Sequence, residues 1–249
     1  MTSINKRFYF FNVNDTWFKC INTWSDIFRL KSYSFIKNKC FCKYCLTEIN
    51  YTIEIDLLED INSILQKFRN SLKQEIKKAN KIGIVCEYKK DIDTFLPFFN
   101  EFAKNKHIYQ PPKKTIQSIG MNIMTTFAYY EEKLIVAHSY IIDKEIGIAR
   151  LFQSASSRLE ENSNKQIISC ANKLLTKNDI IYFKESGYKI YDLGGYALNT
   201  SNKSLQGINE FKLSFGGKIT VLYSCYTYIY FLLKKITEIL DRRYTISKK

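Results

Sequence analysis

Three alternating apolar segments in quick succession constrain the fold most strongly. They are "NIMTTFAYY" at 122–130, "KLIVAHSYIID" at 133–143 and "IGIARLFQSA" at 146–155. Such alternation is typical of strands, and the turns between them are short enough to require antiparallel neighbours, so the pattern predicts a meander. A helical pattern over 164–186 then leads into the strand "KIYDLGG" at 189–195. This order predicts an α+β fold with a mixed, twisted central sheet flanked by helices.

The rest of the chain also alternates strands with helices. Before the meander, the patterns predict strands at 51–57 and 82–88, each followed by a helix, the first of which spans 61–80. After "KIYDLGG", a short helix through "NEFKLSF", the strand "ITVLYSCYTY" and a basic helix close the chain. We therefore predict one domain at 51–249 and an aromatic-rich subregion at 1–50 that packs on its core.

The chain is strongly basic, with a net charge of +14 in 249 residues. Its 45% hydrophobic content excludes a disordered chain. Positive charge of this size favours partners that carry phosphate, such as RNA, a nucleotide-like cofactor, a sugar nucleotide or an anionic membrane surface. Heavy use of Lys, Ile and Asn is also typical of genome bias, so charge alone does not choose among these partners. The longest apolar run, 219–233, is too short to cross a bilayer, and no integral membrane span is predicted.

Seven cysteines, an odd number, and an N-terminus without a signal-peptide pattern predict reduced thiols and a cytoplasmic protein. Three of these cysteines, Cys40, Cys42 and Cys45, could supply thiolates to a metal. No fourth ligand is near them in the sequence, because the two histidines, His107 and His138, lie far along the chain. A strand with buried thiols is the favoured interpretation, and no metal site is predicted.

Three short patterns resemble the Fem-type aminoacyltransferases of peptidoglycan cross-bridge formation and the related acetyltransferase-like domains of the GNAT fold. "KQEIKKANKIG" at 73–83 resembles the family's basic helix, although Lys73 stands where that pattern has arginine. "YDLGG" at 191–195 resembles a strand end with a Gly-Gly step, and "GINEFKLSFGG" at 207–217 resembles the closing pattern around a Phe-Lys pair. The resemblance runs over about 51–226 and implies a GNAT-like acyltransferase fold. A cross-bridge enzyme carries two such domains and this chain has room for one, so the acceptor stays open.

The resemblance implies a catalytic role for Phe211 and Lys212. In Fem-type enzymes this lysine lies near the transferred acyl group, where its ammonium can stabilise the negative oxygen of the tetrahedral intermediate. Phe211 would fix the adjacent backbone, and the alternative for Lys212 is an exposed charge between core aromatics. His138, in phase with Val136 and Tyr140 on its strand, could take the amine's proton as general base, or it could be a core histidine.

The donor site is predicted where a GNAT fold separates two central strands. An acyl donor's amide chain could pair there with an open strand edge beside Asp192, Gly194 and Gly195, unless these residues only form a tight turn. The segment after the third meander strand takes the place of a phosphate-binding glycine loop, but it contains no glycine. Its candidate phosphate-binding residues are Ser156, Ser157 and Arg158. The donor is an acyl-CoA such as acetyl-CoA or an aminoacyl-tRNA, and the small size of a lone domain favours the acyl-CoA.

Basic residues on two predicted elements are candidates for binding an anionic acceptor, and they are Arg69, Lys73, Lys77 and Arg150. We therefore predict an acyltransferase that moves an acetyl or aminoacyl group onto an amine of a cell-envelope sugar or peptide precursor, either a small molecule or lipid-linked. Such a protein would be cytoplasmic, with peripheral contact to an anionic membrane. The alternative is a non-catalytic basic module of the same fold that binds RNA or the membrane surface.

Overall fold

The structure is a computed structural model. It describes residues 2–8, 11–21, 23–38 and 44–246. The chain divides into two compact units, residues 1–50 with 221–249 and residues 51–220. The segment from residue 221 onward groups with 1–50, whereas the sequence pattern assigns it to a domain at 51–249.

Strands and helices alternate along the described residues. The strands are β1 (Thr2–Phe8), β2 (Phe11–Trp17), β3 (Lys31–Ile36), β4 (Cys45–Asp56), β5 (Val85–Lys89), β6 (Ile123–Tyr130), β7 (Lys133–Asp143), β8 (Ile148–Ser156), β9 (Ile190–Gly195) and β10 (Lys218–Thr227). The helices are α1 (Ile61–Gln66), α2 (Asn70–Lys81), α3 (Ile92–Lys106), α4 (Lys113–Gln117), α5 (Lys165–Glu185), α6 (Lys203–Leu213) and α7 (Tyr228–Ile246).

The smaller unit, residues 1–50 with 221–249, contains the strand order β1-β2-β3-β10. β1 and β2 pair antiparallel, β2 and β3 pair parallel, and β3 and β10 pair antiparallel. Asp15 lies buried among these strands and accepts hydrogen bonds from the hydroxyls of Ser32 and Ser34 at 2.7 and 2.8 Å. These bonds satisfy a buried carboxylate, which would otherwise be costly to remove from water.

The larger unit, residues 51–220, contains a mixed sheet in the order β4-β9-β8-β7-β6-β5. All neighbouring strands in it are antiparallel except β8 and β9, which are parallel. The predicted meander is present as β6, β7 and β8, and α5 connects β8 to β9 where the sequence pattern places a long helix. The predicted α+β class, with a mixed sheet flanked by helices, is therefore confirmed.

Helices cover both faces of the sheet in the larger unit. Because successive strand residues point to opposite faces, the β6–β7 pair supplies side chains to two cores. Phe127 and its partner Ala137 pack with Phe95 and Phe99 of α3 on one face. On the other face, Val136 packs in the cluster that contains the buried residues of α1, α2 and α5. Each fully buried aromatic or aliphatic side chain stabilises the fold by about 1.5–3 kcal/mol.

The helix predicted at 61–80 is broken into α1 and α2. The Asp60 carboxylate caps α1 by accepting from the backbone N–H groups of Asn62 and Ser63. At the start of α2, the backbone N–H of Arg69 donates to the Ser214 carbonyl oxygen at 2.9 Å. That partner lies far along the chain, so helical periodicity in 61–80 alone could not reveal the break.

The parallel pairing of β8 with β9 is short and ends before either strand does. It extends from Ile148 opposite Ile190 to Arg150 opposite Asp192. Beyond Arg150, β8 continues to Ser156 with β7 along its other edge, and β9 forms no further pair with it in the described part of the chain. Six residues of β8 therefore have one strand edge open, next to the end of β9.

The cysteine predictions are tested only in part. Cys40 and Cys42 lie outside the described residues, while the Cys45 thiol is reduced. The expectation of reduced thiols is wrong for Cys20, which is disulfide-bonded. An odd cysteine count requires one unpaired thiol, but it does not exclude a bridge between two others.

Within the residues that the structure describes, no helix is both long enough and apolar enough to span a membrane.

Candidate active site

A pocket of about 780 Å³ lies where β8 and β9 separate. Its walls come from β8, the end of β9, α5 and α6, with Phe102 and Lys106 of α3 contributing from the other face of the sheet. Seven of the residues predicted from the sequence line this pocket, and they are His138, Ser156, Arg158, Gly194, Gly195, Phe211 and Lys212. The structure thus brings together residues that lie up to 74 positions apart in the chain.

The remaining predicted residues do not line the pocket. Ser157 is buried, and its hydroxyl donates to the Ile135 carbonyl at 3.5 Å. On the basic helix, Lys73 donates to the backbone carbonyl of Gln66 at 2.9 Å, while Arg69 and Lys77 are exposed to solvent. The last two predicted residues, Arg150 and Asp192, form a buried ion pair.

Arg150 and Asp192 face each other across the short parallel pairing, at the point where the strands separate. One Asp192 oxygen pairs with the Arg150 guanidinium, and the other accepts from the Thr52 hydroxyl and, at 2.7 Å, from the Gly194 N–H. These bonds hold the turn at Gly194, where φ is +81° and a side chain would be strained. Asp192 and Arg150 therefore act on the shape of the pocket. The guanidinium of Arg150, which the sequence predicts to bind an anionic acceptor, is paired with Asp192.

Lys212 lies in the last turn of α6, beside this turn. Asn209 of the same helix accepts from the Ala197 N–H at 3.1 Å and donates to the Ala197 carbonyl at 2.8 Å, which ties α6 to the segment after β9. Phe211 packs edge-on against Phe215, with ring centroids 5.3 Å apart. These contacts place the Lys212 Nζ atom 2.6 Å from the carbonyl oxygen of Gly195, to which it donates.

The position of Lys212 makes its ammonium easier to deprotonate. Burial, and after it the positive charge of Arg150, lower the pKa of Lys212 to about 8, while Asp192 acts in the opposite direction. The side chain is still half-buried, so its ammonium can reach a ligand in the pocket. An ammonium in such a site can stabilise developing negative charge on an oxygen more strongly than one in bulk water.

His138 lies on β7 at the base of the pocket and is buried. Its Nδ1 atom is 2.9 Å from Oδ2 of Asp179, and its Nε2 atom is 2.8 Å from Oδ1 of Asn172. The Tyr140 hydroxyl donates to the same Asp179 oxygen at 2.6 Å and lies 2.8 Å from the Tyr191 hydroxyl. Burial, followed by the Asp179 charge, holds the pKa of both tyrosines well above 10.0, so both hydroxyls stay protonated.

Sequence reasoning missed the α5 members of this site. Asn172, Thr176 and Asp179 follow one another at spacings of four and three, so they lie on one face of the helix. That face also carries buried apolar residues such as Leu175 and Phe183. A polar stripe on the buried face of a long helix is unusual, and this signal could have identified the residues from the sequence.

The pocket wall carries positive charge without compensating carboxylates. None of its lining residues in the described chain is Asp or Glu. Lys106, Arg158 and Lys203 are exposed at its wall, and Lys212 lies deeper. The site is therefore suited to an anionic or strongly polarised ligand.

The first turn of α5 differs from a phosphate-binding helix start. The Asn164 side chain accepts from the N–H groups of Gln166 and Ile167, both at 3.2 Å. Those are the donors that a phosphate group would use at a helix N-terminus. Because Asn164 occupies them and the preceding segment has no glycine, this helix start does not present an open cradle for a pyrophosphate.

The meander, the connecting helix and the separated parallel strands define a GNAT-like acyltransferase fold. Among solved structures, FemX is similar, with a TM-score of 0.63 and 9% identity over 94% of this chain and 85% of that one. The C-terminal domain of a protein assigned as a lysylphosphatidylglycerol synthetase, from Agrobacterium fabrum, has a TM-score of 0.56 and 10% identity over 79% and 67% of the two chains. L-PGS from Bacillus licheniformis has a TM-score of 0.53 and 12% identity over 80% of this chain and 68% of that one.

Identities this low establish the fold and nothing finer. At that level they confirm the resemblance to Fem-type and GNAT-like proteins that the sequence motifs indicate. No protein-family model matches the sequence, and no curated protein matches it.

Proposed function

We propose that this protein is an acyltransferase that moves an acyl group from an activated donor onto an amine of a cell-envelope sugar or peptide precursor. The observation that carries the proposal is the position of Lys212. Its ammonium lies at the open end of the separated strands, 2.6 Å from the Gly195 carbonyl, in a pocket lined by no carboxylate of the described residues. Both the fold and the Phe-Lys motif are typical of acyl transfer.

The chemistry requires a neutral amine, a donor carbonyl and a place for negative charge. The amine nitrogen attacks the carbonyl carbon of the donor ester or thioester, and the carbonyl π electrons move onto its oxygen. The Lys212 ammonium would stabilise that oxyanion. When the intermediate collapses, the C–N bond stays, the bond to the alcohol or thiol leaving group breaks, and the proton lost by the amine neutralises the leaving group.

The donor we favour is an aminoacyl-tRNA, although the sequence alone favoured an acyl-CoA. The start of α5 has its N–H donors occupied by Asn164, which removes the usual support for the pyrophosphate of coenzyme A. Exposed cations at the pocket wall suit the phosphates of an RNA 3′ end instead. One of the similar solved structures is assigned as a synthetase of a lysyl-modified lipid, a product that contains an aminoacyl group.

The proposed acceptor is inferred from the positive charge of the protein. A cell-envelope precursor that carries phosphate, whether a small molecule or lipid-linked, would be attracted to a basic protein of net charge +14. Such a protein would work in the cytoplasm, in peripheral contact with an anionic membrane when its acceptor is lipid-linked.

The direct test is incubation of the purified protein with aminoacyl-tRNA or with acetyl-CoA, and with amino-sugar nucleotides or lipid-linked precursors. We expect mass spectrometry to detect an acceptor heavier by one aminoacyl group, with the Lys212→Ala variant as the control. Absence of product with either donor, together with tight binding of RNA or anionic vesicles, would instead favour the non-catalytic basic module.

The pH dependence of turnover should distinguish the two roles that Lys212 could have. With a pKa of about 8, the ammonium is present below that pH and is lost above it. If the ammonium stabilises the oxyanion, turnover at saturating substrate falls as the pH rises through about 8. The residual activity of Lys212→Arg should lack this fall, because a guanidinium stays protonated. A rise through the same pH would identify Lys212 as a base and contradict the proposed role.

Two double variants with equal charge changes should locate the binding site for substrate phosphates. We expect Lys106→Ala with Lys203→Ala to raise the KM for the phosphate-bearing substrate about tenfold, since each exposed ion pair contributes up to about 1 kcal/mol. The matched variant, Lys73→Ala with Lys77→Ala, removes two charges outside the pocket wall. If only this second variant raises the KM, the basic helix α2 is the binding site for the substrate phosphates.

A further inference from the structure

A chain of hydrogen bonds connects the core of the protein to the pocket wall. It runs from the Tyr191 and Tyr140 hydroxyls to Asp179, then through the His138 ring to the Asn172 carboxamide. Asp179 Oδ2 accepts from Tyr140, and it is also 2.9 Å from His138 Nδ1. A carboxylate oxygen can only accept, so the His138 Nδ1 atom carries a proton that points at Asp179.

The other ring nitrogen of His138 faces an oxygen. Nε2 lies 2.8 Å from Oδ1 of Asn172, a distance that requires a proton between the two atoms. Both ring nitrogens are then donors, one to Asp179 and one to Asn172. His138 is the partner of Asp179, which is fully buried and forms no ion pair with a lysine or arginine in the described residues.

With its oxygen turned towards His138, the Asn172 side chain has its amino group left for other partners. Asn172 lines the pocket, and no hydrogen bond of its Nδ2 atom is found among the described residues. The neighbouring Thr176 hydroxyl is already used, because it donates to the backbone carbonyl of Asn172 at 2.8 Å. The Asn172 amino group is thus a donor whose direction is set from behind by Asp179 and His138.

We propose that Asn172 is a substrate-binding residue whose amino group donates to an acceptor oxygen of the substrate, such as a carbonyl or phosphate oxygen, and that Asp179 and His138 are the positioning residues that orient it. This assigns His138 a different role from the general base predicted from the sequence, since neither ring nitrogen has a lone pair free for an amine proton. The choice of substrate oxygen rests on the proposed acyl transfer. The orientation of Asn172 does not.

The orientation can be tested without any substrate. The chain has two histidines, so a protein with ¹⁵N-labelled imidazole rings gives two sets of ring signals, and His107→Asn assigns them. Asparagine suits that position, because His107 ends α3 with φ at +55°. In the folded protein we expect both His138 nitrogens to carry a proton, one directed at Asp179 and one at Asn172. A neutral His138 with a bare Nε2 would overturn the proposal, because the Asn172 amide would then be reversed.

Asp179→Asn supplies the second arm, because it keeps the shape of the side chain and removes its charge. We expect His138 to lose its Nε2 proton in this variant, and Tyr140→Phe, which removes a different donor to Asp179, to leave that proton in place. A protonated Nε2 in folded Asp179→Asn would show that Asp179 does not position the ring.

Activity provides the third arm where transfer is detected. Losing one hydrogen bond to a polarised oxygen should raise the KM about 10- to 100-fold in Asn172→Ala, with turnover little changed. Asn172→Asp, which replaces the donor by an acceptor, should raise the KM at least as much. The double variant Asp179→Asn with Asn172→Ala should have nearly the same KM as Asn172→Ala alone. A fall in turnover at unchanged KM would contradict a binding role. If the wild type transfers no acyl group, the nitrogen signals still decide the orientation.

Discussion

Lys212→Ala lowers turnover by about 100-fold or more, in line with the loss of one preorganised oxyanion donor. The expectation follows from the contacts of the Nζ atom, which Gly195 holds at 2.6 Å beside the open edge of β8. The measurement is turnover at saturating donor and acceptor in the mass-detection assay. A variant with full activity would return Lys212 to the status of a half-buried surface residue.

Lys212→Arg separates position from charge. It retains a positive charge but carries the donors outward on a larger planar group. We expect this variant to be impaired as well, and full activity would mean that diffuse positive charge is sufficient. The melting temperature is the control for both variants. It should hardly change, because burial already disfavours the ammonium.

The place of Lys212 in the pocket was predictable because its signal is local. The motif at 207–217 places Phe211 and Lys212 on one short helix, and the "YDLGG" motif ends a strand with two glycines. Short-range patterns of this kind can be recognised in a single sequence. The meander and the long helix were predictable for the same reason, since periodicity within one segment reports which face of that segment is buried.

The partners of the predicted residues were not predictable, because their contacts are long-range. Arg150 and Asp192 meet through a parallel register between strands that are 42 positions apart, and no pattern in either strand states that register. Considered alone, Arg150 looked like a ligand-binding charge, and Asp192 looked like part of an open strand edge. The pairing of His138 with Asp179, 41 positions away, was hidden in the same way.

Asp192→Asn lowers the free energy of unfolding by about 3–5 kcal/mol, because it leaves the Arg150 guanidinium buried without its carboxylate. The side chains of the pair are 6% and 0% exposed, so water cannot compensate for the lost charge. Asparagine keeps an oxygen for the Gly194 N–H and replaces the oxygen that accepts from Arg150 by an amino group, which can only donate. Urea unfolding followed by circular dichroism measures the effect.

Two further variants show how the loss in the free energy of unfolding should be interpreted. The exposed pair of Lys113 and Asp93, at 2.6 Å, is the matched surface control, and Asp93→Asn should cost no more than about 1 kcal/mol. Arg150→Met combined with Asp192→Asn should be more stable than Asp192→Asn alone, since it removes the stranded charge. Equal costs for Asp93→Asn and Asp192→Asn would mean that the buried pair contributes no more than a surface one.

The same substitution should also change the chemistry at Lys212. Asp192 raises the pKa of Lys212, and Arg150 lowers it. In Asp192→Asn the first effect is lost and the second persists, so the pKa moves below about 8. The fall in turnover with rising pH should then begin at a lower pH than in the wild type. If stability falls but turnover still declines at the same pH as in the wild type, the ion pair supports the fold of the turn at Gly194 without changing the pKa of Lys212.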